Sequence, residues 1–133
     1  MKVVLISHFF NEEFLLPHWI QHHVKMFDHG VMINYGSTDR SVKIIKELAP
    51  HWEIRQTRNQ FFDAPLVDQE VMSIEREFRC CWKMALNTTE FLVMPGLDLK
   101  RTLRRFMAIY PYSFALCAHG MQMIDRPEDM NVD

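Results

Sequence analysis

The chain has 133 residues, of which 48% are hydrophobic and 24% charged, and its formal net charge is -2. This length suits a single domain with a buried core, and this composition is that of a globular protein. The net negative charge argues against a nucleic-acid binder whose affinity depends on neutralising phosphates.

The chain opens with an apolar, β-branched run. Lys2–Ser7 predicts a strand that is buried on both faces. No small-residue cleavage site follows, and Asn11-Glu12-Glu13 is polar, so we do not interpret the run as a signal peptide. No apolar run approaches the ~18 residues of a membrane span.

A helix and a second strand follow. Residues 15–27 carry apolar side chains at helical spacing, with a proline near the start. Residues 31–33 form a short β-rich run, and a polar loop over 34–39 comes after it. Residues 41–48 predict a second helix with apolar side chains inward, which Pro50 ends.

The alternation of strands and helices continues. Residues 52–57 alternate like a third strand, and residues 58–67 predict a loop because they include asparagine, aspartate and proline. Residues 68 to about 80 predict a helix, and 82–86 a fourth strand. This order predicts an α/β, Rossmann-like fold: a mostly parallel sheet flanked by helices.

Beyond the fourth strand the pattern weakens. Residues 99–109 predict a helix, residues 112–118 a strand, and residues 125–133 an exposed tail. The helix carries four cations, which form either a local basic patch or, as we favour, a solvated helix face. We treat residues 1–133 as one domain.

The cysteines indicate a reducing compartment. Cys80 and Cys81 are adjacent, Cys117 is distant, and no Cys-x-x-Cys spacing occurs. An odd number of cysteines without such spacing predicts neither a disulfide framework nor a zinc site. We therefore expect a cytoplasmic protein.

Three polar clusters follow strands, at residues 11–13, 34–39 and 87–90. The carboxyl ends of parallel strands share one edge of the sheet, where ligands bind, so we expect the clusters to converge. No glycine-rich phosphate loop is present, so a nucleotide would be held by side chains. Asn11 or Glu12 can accept from ribose hydroxyls; Asp39 can accept from a base N–H or cap the next helix.

Two segments carry a family resemblance. NEEFLLPHWIQHH…FDHGVMINYGSTDRSVKII resembles the amino-terminal half of family 2-like glycosyltransferases of the GT-A fold, and WKMALNTTEFLVMPG is similar to their strand ending in Asp-x-Asp-Glu-Phe-Leu. The resemblance covers roughly residues 2–97. It implies a GT-A-type nucleotide-binding half and an enzyme that moves a sugar from a nucleoside diphosphate donor to an acceptor hydroxyl.

The resemblance also implies Mg²⁺ or Mn²⁺, held by the aspartates of Asp-x-Asp on the donor diphosphate. This chain has Asn87 and Thr89 at those positions, with Glu90 after them. Neutral side chains ligate such cations weakly. Three outcomes remain open: Glu90 holds the metal with water and diphosphate, cations such as Arg76 or Arg79 replace it, or the site is inactive.

Two pairs of candidates have structural alternatives that we favour. His18 and His22 have a metal-binding spacing but fit a structural helix, and Asp68 and Glu75 could face the donor but fit a solvated helix. Arg58 and Asn59, in the loop after the third strand, are candidates to reach a diphosphate.

Complete enzymes of this family carry their acceptor site and general base downstream. About forty residues follow Glu90, and Asp125 is the nearest candidate base in chain order. We therefore expect a truncated or minimal relative whose exposed apolar surface favours a homo-oligomer. The alternatives are a non-catalytic nucleotide-sugar-binding module and a fragment without activity. A nucleotidyltransferase is disfavoured because HFFNEE is not a glycine-rich, basic loop.

Overall fold

The structure is a computed structural model that describes residues 1–121. Within them the chain forms β1 (Val3–Phe9), α1 (Leu16–His23), β2 (His29–Asn34), α2 (Ser41–Leu48), β3 (Glu53–Gln56), α3 (Ala64–Glu77), β4 (Trp82–Ala85) and α4 (Leu99–Ile109). None of the helices in this part of the chain combines the length and apolarity needed to cross a bilayer.

The four strands form one sheet in the order β3-β2-β1-β4, and every neighbouring pair is parallel. The predicted α/β, Rossmann-like architecture is confirmed. Since all strands run in the same direction, the segments that follow them begin at one edge of the sheet. The register places Phe9 of β1 beside Asn34 of β2, so these two strands end side by side.

Both faces of the sheet are covered, because the side chains of β1 alternate between two cores. Val3 and Leu5 pack in a core with residues of α1, α2 and α4. Val4 and Ile6 pack on the other face with Ile74 of α3. This explains why β1 is apolar at four successive positions, Val3–Ile6, instead of alternating with polar residues.

One predicted strand and the bounds of two predicted helices were wrong. Residues 112–118 form no strand: they are exposed, and they leave a turn without joining the sheet. α1 ends at His23 instead of 27, because residues 24–26 form a turn.

The third error concerns residues 58–67, since α3 already begins at Ala64. The Asp63 side chain accepts from the Leu66 amide at 3.2 Å, and Pro65 lies in the first turn. An N-cap aspartate and a first-turn proline are helix-start signals, although the same residue types also occur in loops.

Candidate functional site

Two of the predicted polar clusters bind each other through backbone amides. Asn11 adopts a positive φ of 52°, which its short amide side chain tolerates. Its Oδ1 accepts from the Thr38 amide at 2.8 Å, and its own amide donates to Ser37 Oγ at 3.0 Å. Asn11 therefore joins the loop after β1 to the loop after β2.

Asp39 completes this junction. Its two carboxylate oxygens accept from the Ser41 amide at 2.9 Å and from the Glu13 amide at 3.0 Å. Burial acts to raise the pKa of Asp39, but the hydrogen bonds from Ser41 and Glu13 outweigh burial and lower it. The carboxylate thus accepts from the first amide of α2 from one position before the N-cap residue, Arg40, and joins the helix start to the loop after β1.

A groove of about 500 Å³ opens at the carboxyl edge of the sheet, and we call it the main groove. Segments that follow all four strands contribute to it. Its lining includes His8, Glu12, Tyr35, Asn59, Phe62 and Thr88. Its wall combines aromatic rings with hydrogen-bonding side chains. Among the aromatic residues, Tyr35 lies edge-on to Phe62 with the ring centroids 5.6 Å apart.

A smaller groove of about 160 Å³ lies beside the main groove, and we call it the side groove. Asp68, Asn87 and Glu90 contribute to it, and His8 lines both grooves. Burial lowers the pKa of His8, while the carboxylates of Asp68, Glu12 and Glu90 act in the opposite direction. The imidazole therefore lies between the grooves with acidic groups around it.

A buried carboxylate, Glu70 of α3, lies behind one wall of the main groove. Its Oε2 accepts from the Thr57 hydroxyl at 2.7 Å and from the Tyr35 hydroxyl at 3.2 Å. Its Oε1 accepts from the Arg58 amide at 2.8 Å. The Asn59 Nδ2 lies 3.3 Å from Oε2 and 3.0 Å from the Tyr35 oxygen. Glu70 thus organises the segments that follow β2 and β3.

Helix α1 anchors the segment that follows β4. Trp19 Nε1 donates to the Glu90 carbonyl at 2.8 Å. His22 Nε2 lies 2.8 Å from the Leu92 carbonyl, and His23 Nε2 accepts from the Leu92 amide at 3.1 Å. The tryptophan and histidine pair in WIQHH therefore position this segment, in agreement with the structural alternative for His22.

The residues predicted to bind a diphosphate or metal are only partly brought together. Asn87 and Glu90 line the side groove, and Glu90 Oε2 accepts from the Asn87 amide at 2.7 Å. Thr89 is exposed and lines neither groove, whereas its neighbour Thr88 is buried and lines the main groove.

Arg76 does not join these residues, and Asp125 lies outside the described residues. Arg76 is exposed in the last turn of α3, which leads to the amino-terminal end of β4 and hence to the opposite edge of the sheet. Arg79 follows the same helix. Neither arginine can replace a metal at the carboxyl edge in this arrangement.

The side chains do not fit a preformed divalent metal site. Across residues 1–121 no group of three or more His, Cys, Asp or Glu has a geometry that could hold a metal ion. Glu90 contributes a single carboxylate, and one of its oxygens already accepts from an amide. We therefore assign no step to a metal ion.

A solved structure provides the fold comparison. Residues covering 84% of the chain superpose on 32% of the S. aureus TarS 1–349 crystal structure, with a TM-score of 0.59 and 14% sequence identity. The likeness is one of fold. TarS is a GT-A-type glycosyltransferase, and this chain spans about a third of that structure. No family model matches the sequence, and no curated protein does.

Several residues of the site were not predicted from the sequence. His8, Phe62 and Glu70 were unassigned, and Tyr35 was predicted only as a member of the 34–39 cluster. Glu70 nevertheless carried a signal in the sequence. It lies on the buried face of α3 with Val67 and Ile74, where an apolar side chain is expected. A carboxylate at such a position needs hydrogen-bond donors, so it indicates a buried polar cluster.

Proposed function

We propose that the chain binds a nucleoside diphosphate sugar at the carboxyl edge of its sheet, as the donor half of a glycosyltransferase. The observation that carries this proposal is the main groove, to which the segments after all four strands contribute. The fold likeness to a glycosyltransferase supports it. Ligands of open α/β sheets bind at this edge.

The chemistry of the groove suits the nucleoside end of such a donor. Aromatic side chains, Tyr35 and Phe62 among them, offer faces on which a base can stack. The Glu12 carboxylate can accept from ribose hydroxyls. The donor diphosphate would then lie toward the mouth of the main groove, because the carboxylates of Asp68 and Glu90 line the side groove and would repel it.

A second function is favoured by one specific observation. Asn87 and Thr89 stand where the resembling enzymes have metal-binding aspartates, and the described residues form no metal cluster. A module that binds nucleotide sugars without transferring the sugar would need the groove and not the metal. Binding without donor hydrolysis or transfer selects this alternative.

The first experiment measures thermal unfolding with nucleoside diphosphates of the five common bases at millimolar concentration, with and without Mn²⁺. We expect at least one of them to raise the melting temperature, because ligand at about 100 times its Kd stabilises the folded state by about 2.7 kcal/mol. Absence of any shift in every combination would contradict the proposal. A shift that requires Mn²⁺ would show that ligand and metal assemble a site together.

A pair of exposed phenylalanines provides a matched test of location. Phe62 lines the main groove and Phe14 does not, and both are exposed, so neither truncation should cost much stability. We expect Phe62→Ala to weaken nucleotide binding roughly tenfold, from the loss of base stacking, while Phe14→Ala binds like the unaltered chain. Calorimetry on both variants checks this, and equal affinities would place the ligand elsewhere.

A further inference from the structure

We propose that Glu70 is a positioning residue that turns the inner wall of the main groove into a hydrogen-bond acceptor surface. On this proposal the groove takes the uncharged head of a nucleotide, which carries N–H and O–H donors, and not its phosphates. This inference rests on the proposed function and names which end of the ligand the groove selects. Glu70 itself does not line the groove; it acts through Tyr35, Thr57 and Asn59.

The proton positions around Glu70 follow from one constraint: a carboxylate can only accept hydrogen bonds. The Thr57 and Tyr35 hydroxyls must therefore turn their protons toward Glu70 Oε2. The Asn59 side chain must present its NH₂ group to the same oxygen, which also brings Nδ2 to the Tyr35 oxygen. Glu70 thus fixes the orientation of three groove-lining side chains.

The consequence is a wall whose donors are used up. The three polar side chains direct donors to Glu70, and the Asn59 Oδ1 remains as an acceptor. The Glu12 carboxylate adds a second acceptor to the groove. A ligand group that binds against these acceptors must supply donors, such as the N–H or amino group of a base or the hydroxyls of a sugar.

Charge reinforces this selection. Glu70 is 8% exposed, and no Lys, Arg or His side chain among the described residues forms an ion pair with it. The Glu12 carboxylate thus lines the main groove and the Glu70 carboxylate lies behind its inner wall. A phosphate placed in the groove would be repelled by both. Repulsion at this position keeps the phosphates toward the mouth of the groove.

The test replaces Glu70 with glutamine, which keeps its shape but introduces an NH₂ group. That group competes with the NH₂ of Asn59 and reverses the donor pattern of the wall. We expect Glu70→Gln to weaken the preferred nucleoside diphosphate roughly tenfold, while affinity for free pyrophosphate stays unchanged. We also expect the preference among the five bases to shrink, which a merely loosened fold would not cause.

Controls separate the possible failures. Glu47→Gln removes an exposed carboxylate on α2 and should leave binding unchanged. Tyr35→Phe keeps Glu70 and removes one of the hydroxyls that it orients. We expect this variant to reduce the preference among the bases as well, and it serves as the test if Glu70→Gln does not fold. Equal binding and equal base preference in folded Glu70→Gln would overturn this inference alone. Failure of the unaltered chain to bind any nucleotide would overturn the proposed function instead.

Discussion

A buried histidine, His23, joins α1 to the segment after β4, and its two hydrogen bonds fit only the neutral imidazole. Its Nδ1 lies 2.8 Å from the Trp19 carbonyl and must donate to it, since a carbonyl only accepts. Its Nε2 accepts from the Leu92 amide, so no proton fits there. Burial lowers the pKa of His23 from 6.5 to about 4, against the hydrogen bond to Trp19, which raises it.

This lowered pKa predicts an acid-dependent loss of stability. The unfolded chain binds the proton near pH 6.5 and the folded chain only near pH 4, so the contribution of His23 is complete above pH 6.5. It falls as the pH drops toward 4, by roughly 3 kcal/mol in total. In urea unfolding between pH 7 and pH 4, the free energy of unfolding of His23→Gln should fall less steeply with decreasing pH than that of the unaltered chain.

The exposed His18 on the same helix is the matched control. His18→Gln should retain the full pH dependence, because it leaves the contacts of His23 with Trp19 and Leu92 in place. Comparing variants also removes the contributions of His8 and His29, whose pKa values burial lowers as well. Identical slopes in His18→Gln and His23→Gln would contradict the assignment.

At this scale the sequence predicted positions better than roles. Asn11, Glu12 and Asp39 were predicted at the carboxyl edge, and the strand order does bring their loops together. However, the side-chain oxygens of Asn11 and Asp39 accept hydrogen bonds from backbone amides of the neighbouring loop. The sequence could not reveal this, because an amide donor exists at almost every residue and its direction depends on the folded loop.

At the scale of elements, β2 packs closely on the residue that precedes β3. A Cβ added at Gly30 would overlap the ring of Trp52, which is buried. We expect Gly30→Ala to lower the free energy of unfolding by about 1–3 kcal/mol, because a filled core resists overpacking. Gly120→Ala, where a Cβ would meet open space, should change it little. Urea unfolding of both variants checks this, and a neutral Gly30→Ala would show that Trp52 moves freely.

The elements themselves were predictable where hydrophobic periodicity was strong. α2 and α4 have the predicted bounds, and all four strands of the sheet were found. The predicted strand over 112–118 failed because a strand needs a neighbour, and apolar alternation does not supply one. The start of α3 was missed because Asp63 and Pro65 suit both a turn and a helix start.

At the scale of the whole molecule, large apolar side chains remain exposed beyond β4. They include Val93, Leu97, Ile109, Tyr112 and Phe114, the last of which is 95% exposed. Isolated exposed residues are ordinary, but contiguous apolar surface marks a contact with other protein surface. These five lie within one stretch of chain, and exposed apolar side chains concentrated in this way favour association between copies of the chain.

We therefore expect the isolated chain of residues 1–133 to self-associate. Sedimentation velocity over a wide concentration range should show an apparent mass that rises with concentration, because burial of apolar surface favours association. Replacing Tyr112 and Phe114 together with serine should weaken association without lowering the melting temperature, since neither side chain is buried. Phe14→Ser, at the opposite end of the sequence, is the control that removes one exposed aromatic side chain and should not weaken it. A concentration-independent monomer would mean that this surface is tolerated in water and needs no partner.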